Sequence, residues 1–182
     1  MGCTPSPGPG YSRRWTSEKI VVTGAPRVGK TSFVGAASDP TPARTVESIP
    51  TLDRHLLLDA GRIEIADHHV LQLTGAPLPT QWDGLWADVT RCALGAVVLV
   101  HPDDPTACFP AIEHLEQARL PFHVAVTQFA DADPDPHRVA QALEVSLDRM
   151  SVCDPRSRIS TRLALMDVVS QRIQQQLKET TR

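Results

Sequence analysis

Aromatic side chains make up only 4% of this chain, too few to build the stacked-ring face that single-stranded nucleic acid uses. Basic residues are in no excess: 18 Lys and Arg stand against 21 Asp and Glu, for a net charge of −3. No bulk attraction to DNA, RNA or anionic lipid is therefore expected. No apolar run reaches the roughly 18 residues of a transmembrane helix, and the N-terminus lacks the apolar centre of a signal peptide. The four cysteines, Cys3, Cys92, Cys108 and Cys153, lie far apart with no Cys-x-x-Cys pair. They suggest neither a zinc site nor a disulfide framework, and reduced thiols in a cytoplasmic protein are the simplest reading. The histidines form no ligand set either. His68 and His69 are adjacent, so on a strand they would point to opposite faces, and they read as a polar hairpin tip. Lysine is scarce, with only Lys19, Lys30 and Lys178. With so few, a lysine inside a glycine loop asks for a chemical reason.

What is present fits one α/β domain. The 182 residues are 41% hydrophobic and 21% charged, a globular balance. A chain of this length can bury roughly 70% of its unfolded surface without staples. Residues 1–18 read as a disordered leader, because Pro5, Pro7 and Pro9 interleave with Gly8 and Gly10. Its opening Met1-Gly2-Cys3-Thr4-Pro5-Ser6 also matches the loose N-myristoylation pattern. The domain itself is expected over 19–182.

Within it, Lys19–Thr23 is a short β-branched run of the kind buried on both faces of a sheet. A helix is expected over Lys30–Ala37, then a Pro-, Thr- and Ser-rich loop over 39–53. Strands over His55–Ile65 and Val70–Thr74 form a hairpin through Asp67-His68, with a bulge or bend at Asp59-Ala60-Gly61. Trp82–Leu94 has a helical stripe, and Ala96–Val100 is another buried strand. A helix over Phe109–Arg119, a strand over Phe122–Val126, a helix over His137–Leu143, a short strand over Ser151–Cys153 and a helix over Ser160–Leu177 complete the chain. This alternation predicts a mostly parallel six-stranded sheet with one antiparallel edge strand and helices on both faces.

The chemistry sits in Gly24-Ala25-Pro26-Arg27-Val28-Gly29-Lys30-Thr31-Ser32. Its Gly-x-x-x-x-Gly-Lys-Thr core is a complete Walker A sequence in the required strand–loop–helix setting. Backbone N–H groups must converge on phosphate oxygens there, and a side chain at either glycine would obstruct them. The start of the helix adds the positive end of its dipole. Lys30 would reach the β- and γ-phosphates, and the Thr31 hydroxyl would bind Mg²⁺.

With a hairpin after the first helix, the chain resembles a bacterial Ras-like small GTPase, most similar to the GTP-binding proteins of actinobacterial conservons. Residues 59–63 (Asp-Ala-Gly-Arg-Ile), 93–100 (Ala-Leu-Gly-Ala-Val-Val-Leu-Val) and 108–111 (Cys-Phe-Pro-Ala) carry the likeness. The resemblance implies a P-loop NTPase fold of the Ras-like G-domain type, with GTP or GDP and Mg²⁺ as ligands. It also implies a roadblock-type protein and a sensor kinase as partners, with peripheral recruitment to the membrane through them.

The chain departs from that pattern in three places. Arg54 and His55 stand where a switch I threonine belongs; Thr51, earlier in the loop, is the candidate substitute for Mg²⁺, although a solvated loop residue is the ordinary fate of such a threonine. Switch II, Asp-x-x-Gly-Gln in small GTPases and Gly-Thr-Pro-Gly-Gln in the conservon group, here reads Gly75-Ala76-Pro77-Leu78-Pro79. Leu78 replaces the glycine that meets the γ-phosphate, and Pro79 cannot orient a water as glutamine does. Asn-Lys-x-Asp has become Thr127-Gln128-Phe129-Ala130, with Asp131 one residue late as a candidate guanine reader or a plain charged loop residue. Asp103 and Asp104 are weaker candidates for a Walker B acid.

Three readings follow. The first is a small-GTPase switch of low intrinsic hydrolysis, in which Lys30 is the catalytic cation. The second is a pseudo-GTPase scaffold acting through protein contacts. The third is a P-loop ATPase or kinase, for which Arg156, Arg158 and Arg162 could supply a lid, though they read as solvated.

Overall fold

The computed structural model describes residues 16–39, 43–49, 54–66, 69–81, 86–129 and 133–180. The elements run β1 Thr16–Gly24, α1 Lys30–Ala37, β2 Ala43–Ile49, β3 Arg54–Ala66, β4 His69–Gly75 and α2 Trp86–Thr90. They continue with β5 Ala93–Val100, α3 Phe109–Gln117, β6 Phe122–Thr127, α4 Pro136–Leu143, β7 Met150–Cys153 and α5 Arg158–Thr180. The sheet order is β2-β3-β4-β1-β5-β6-β7. β3 is antiparallel to both its neighbours, and the remaining adjacent pairs are parallel.

Burial along the central strands explains this arrangement. Ile20, Val22, Val97 and Leu99 face one core with Phe33 and Val34 of α1 and Leu165 and Val168 of α5. Val21, Ala96, Val98 and Val100 face a second core with Trp86 of α2, Leu115 of α3 and Val139 of α4. Successive strand residues point to opposite faces, so continuous apolar runs are stable only when helices cover both. Each fully buried Val or Leu contributes about 2 kcal/mol to that assembly.

The six expected strands are all present, and β2 adds a seventh outside the antiparallel strand, where the sequence suggests a loop. β2 has no apolar period of its own to announce it, and its hydrogen-bonded partners all come from β3. β1 begins at Thr16, earlier than expected, because its first residue pairs with His69 of β4. The helix expected over Trp82–Leu94 is cut short. Cys92 takes a positive φ of 57°, and Ala93 and Leu94 already belong to β5.

Asp59-Ala60-Gly61 is not a bulge; β3 runs straight through it, and the register shift falls between Glu64 and Ala66. Gly61 answers to packing instead. A Cβ there would lie 2.2 Å from Ser38 Oγ and 2.7 Å from Val34 Cγ1, so α1 sits directly on this strand.

Arg158 and Arg162 of α5 lie at the surface, 55% and 34% exposed, but are tied to α1. Arg158 Nη1 donates to Ser38 O at 3.2 Å and Arg162 Nε to Ala37 O at 3.2 Å, covering carbonyls at the end of α1. Both also pair with Asp39. The Arg162 hydrogen bond, aided by Arg158, holds the Asp39 carboxyl below the usual carboxylate range. Cys108 and Cys153 are free and buried, whereas Cys92 takes part in a disulfide, which departs from four reduced thiols. The expected leader lies almost wholly outside the described residues, as do Thr51, His68 and Asp131.

Candidate nucleotide site

β1 delivers the chain to Gly24 at the carboxyl edge of the sheet, beside β5. Gly24 has φ 149°, and a Cβ there would meet Leu99 O at 2.3 Å, so no other residue fits. Ala25, Pro26 and Arg27 form the outer arc, with Arg27 at φ 64°. Val28 is 1% exposed and anchors the arc in the α1–α5 core. Gly29 is left-handed at φ 103°, and no side chain caps the helix it opens. The first N–H groups of α1 are therefore left to an external anion. A Cβ on Gly29 would also lie 2.9 Å from Pro155 Cγ and 3.6 Å from Phe129 Cζ. The loop that follows β7 thus packs against the phosphate loop.

Lys30 opens α1 half-buried. Its ammonium donates to Gly24 O at 2.9 Å and Ala25 O at 2.8 Å, folded back over its own loop. Burial lowers its pKa, while negative charge at Cys108 and Asp59 would oppose that shift. Thr31 and Ser32 are exposed at the helix start. The Thr31 hydroxyl donates to Asp59 Oδ2 at 2.6 Å. In the sequence, Asp59 stands out only as part of a family marker.

The segment after β4 lies next to the phosphate loop and is built differently. Ala76 N donates to Val22 O at 2.8 Å. Pro77 O accepts from Trp86 Nε1 at 3.0 Å and from Thr23 Oγ1 at 3.4 Å. Ala76 and Leu78 are 1% and 6% exposed and share the second core with Val21, Leu58 and Trp86. This stretch is part of the hydrophobic interior.

The loop after β6 is also tied down where it is described. Thr127 is buried, and its hydroxyl donates to Val100 O at 3.1 Å. Gln128 N donates to Cys153 O at 2.9 Å. Phe129 stacks on His101 with ring centroids 6.2 Å apart. His101, Asp103, Thr127, Phe129 and Asp133 help line a cavity of about 350 Å³. It opens at the carboxyl ends of β5 and β6, where α/β sheets bind ligands. Asp103 and Asp104 are exposed beyond β5.

With this strand order and this loop, one architecture fits. The fold is that of a P-loop G domain. The chain is similar to the G domain of the T. maritima FeoB iron transporter, with a TM-score of 0.61 and 14% identity over 85% of this chain and 98% of that one. The FeoB G domain of Methanococcus jannaschii gives a TM-score of 0.56 at 14% identity, covering 87% and 98%. A point mutant of S. thermophilus NFeoB bound to GDP gives 0.59 at 14% identity, covering 84% of this chain and 61% of that one. No family model matches the chain, and no curated protein matches it. At such identities the likeness is one of fold.

Residues 24–32 form one continuous loop and helix start, whereas Thr127 is buried and Gln128 is tied to Cys153 O. Among the described residues no group of three or more His, Cys, Asp or Glu could hold a metal by itself. Any cation here would depend on phosphate oxygens as well as protein. The Thr31 hydroxyl and Asp59 carboxylate are the oxygen donors a hard cation such as Mg²⁺ prefers, so the residues present fit that ion. No helix among the described residues is long and apolar enough to cross a membrane.

Proposed function

We propose that the chain binds a guanine nucleotide with Mg²⁺ at residues 24–32 and acts as a G-domain signalling protein of very low intrinsic hydrolysis. The observation that carries this reading is the left-handed glycine loop, with Lys30 and Thr31 at the start of an uncapped α1. Lys30 would exchange two loop carbonyls for phosphate oxygens, and its neutralising charge is the catalytic contribution this chain can make. Thr31, with Thr51 from the segment just before β3, would serve Mg²⁺. Thr127, Gln128 and Asp131 would border the base. The GDP bound by the S. thermophilus neighbour supports guanine over adenine. The resemblance of residues 59–63 and 93–100 to conservon proteins supports a cytoplasmic role beside a roadblock-type protein and a sensor kinase. The working unit would begin at Thr16, the first residue of β1, rather than at residue 19.

The second reading, a pseudo-GTPase scaffold, is favoured by the burial of Ala76 and Leu78. A segment locked into the core has little freedom to report on a γ-phosphate. The arginine lid of the kinase or ATPase reading is weakened, since Arg158 and Arg162 are engaged with Asp39 and the end of α1, and Arg156 pairs with Asp154.

Calorimetric titration with GTP, GDP and ATP, each with and without Mg²⁺, tests these alternatives. Micromolar guanine-nucleotide binding strengthened by Mg²⁺ is the expected result. Binding of ATP alone would promote the kinase or ATPase reading. Silence from all three would leave the scaffold.

A further inference from the structure

The Thr31 hydroxyl, the protein group expected to face a nucleotide-bound cation, is held by a carboxylate 28 residues away in the sequence. Strand register brings the two together. In the β3–β4 ladder Asp59 is the direct partner of Gly75, the last residue of β4. Ras-like proteins end this strand with an aspartate, and here there is no side chain. A Cβ on Gly75 would lie 3.1 Å from Asp59 Cβ and 3.6 Å from Asp59 Oδ2. A side chain at the end of β4 would thus stand directly against the Asp59 side chain, tightly at its Cβ.

We propose that Asp59 is the acidic residue on the metal side of this nucleotide site, moved one strand across the sheet from the place left vacant by Gly75. The proposal rests on the nucleotide-binding reading. Its chemistry is that of outer-shell control. A hydroxyl that donates its one proton to a carboxylate keeps both lone pairs for a cation, and the partner carboxylate fixes their direction. Asp59 also adds negative charge beside a hard divalent ion, which binds through oxygen. Lys30 lies near enough to feel the Asp59 charge. One loop thus has a cation for phosphate and an anion for the metal on either side of the α1 start. Asp103 and Asp104, the other acids near the site, are exposed; the Asp103 backbone N–H donates to His101 Nδ1, and the Asp104 carboxylate accepts from the Thr106 hydroxyl.

The test measures GDP and GTP affinity of the full chain in Mg²⁺ and in EDTA, for the native protein and for Asp59→Asn. The native protein should bind at least about tenfold tighter with Mg²⁺. Asp59→Asn should keep its EDTA affinity within about twofold and lose most of the Mg²⁺ gain, as loss of an outer-shell partner does. The exchange Asp59→Gly with Gly75→Asp should recover part of that gain. Equal loss in Mg²⁺ and EDTA would show that Asp59 only shapes the loop, and an undiminished Mg²⁺ gain would show that it is irrelevant. Either result overturns the proposal. Native protein that binds nucleotide with no Mg²⁺ effect sinks the proposal but leaves the nucleotide reading standing; absence of all nucleotide binding removes both. A second measurement needs no variant. With Mn²⁺, another oxygen-seeking cation, in the nucleotide complex, the amide signals of Asp59 and Thr31 should broaden before those of Asp103 and Asp104. Broadening at Asp103 first would assign the acid there instead.

Discussion

Two segments leave the same edge of the sheet side by side and are built on opposite plans. The loop after β1 turns its backbone outward: Gly24, Arg27 and Gly29 take positive φ, and the start of α1 is left uncapped. The segment after β4 turns its side chains inward, with Ala76 and Leu78 in the core and Pro77 O held by Trp86 and Thr23. In a cycling GTPase both would be polar and responsive. Here one is a loop of positive-φ backbone before an uncapped helix, and the other is interior packing. On the proposed reading, binding phosphate and sensing its loss would be physically separable tasks, with the first loop built for binding alone.

The largest effect should come from remaking the second segment in the image of the first. Leu78→Gly with Pro79→Gln removes a buried leucine and should cost about 4 kcal/mol, read as a fall in the denaturant midpoint. If the variant still folds, hydrolysis should rise about tenfold as a water-orienting group returns. An unchanged midpoint would contradict the buried position of Leu78. Next comes Lys30→Ala, which should weaken nucleotide binding by about 100-fold, the worth of a charged hydrogen bond to phosphate. Its melting temperature without nucleotide should hardly move. Full binding by that variant would remove the cradle from the account.

A smaller change should follow from Trp86→Phe, which keeps most of the packing but drops the hydrogen bond to Pro77 O. It should cost about 1 kcal/mol and speed amide exchange at residues 76–79 without touching the phosphate loop. The smallest effect serves as a control remote from both segments. His123 is 1% exposed, and burial lowers its pKa from the ordinary 6.5 despite Asp167 nearby. The unfolded chain therefore takes up a proton first as pH falls below about 6.5. Stability should be intact above that value and decline from there towards the depressed folded value. Melting scans across that window should show the decline in the native protein, and His123→Gln should lack it.

Much of this could be read in the chain beforehand. The run Ile20–Val22 of β1, with β5 and most of β6, is apolar without a break and can only be buried on both faces, and the Walker A spacing carries its own geometry. Other features could not be read, each for a structural reason. Asp59 gives no local signal, because its place beside Thr31 comes from register with Gly75. β2 is a strand only in combination with β3. Leu78 in the sequence is a missing glycine; in the fold it is a core residue. Arg158 and Arg162 look like unpaired charges until α5 is laid against α1 and both meet Asp39.

By itself, the sequence determined the alternating α/β order and the phosphate loop, since both depend on local periodicity and on residues a few positions apart. Only the tertiary structure decided which carboxylate meets Thr31 and whether residues 76–78 face ligand or core. Those depend on which strands pair and how helices cover them, and pairing energies are summed over contacts between residues far apart in the chain.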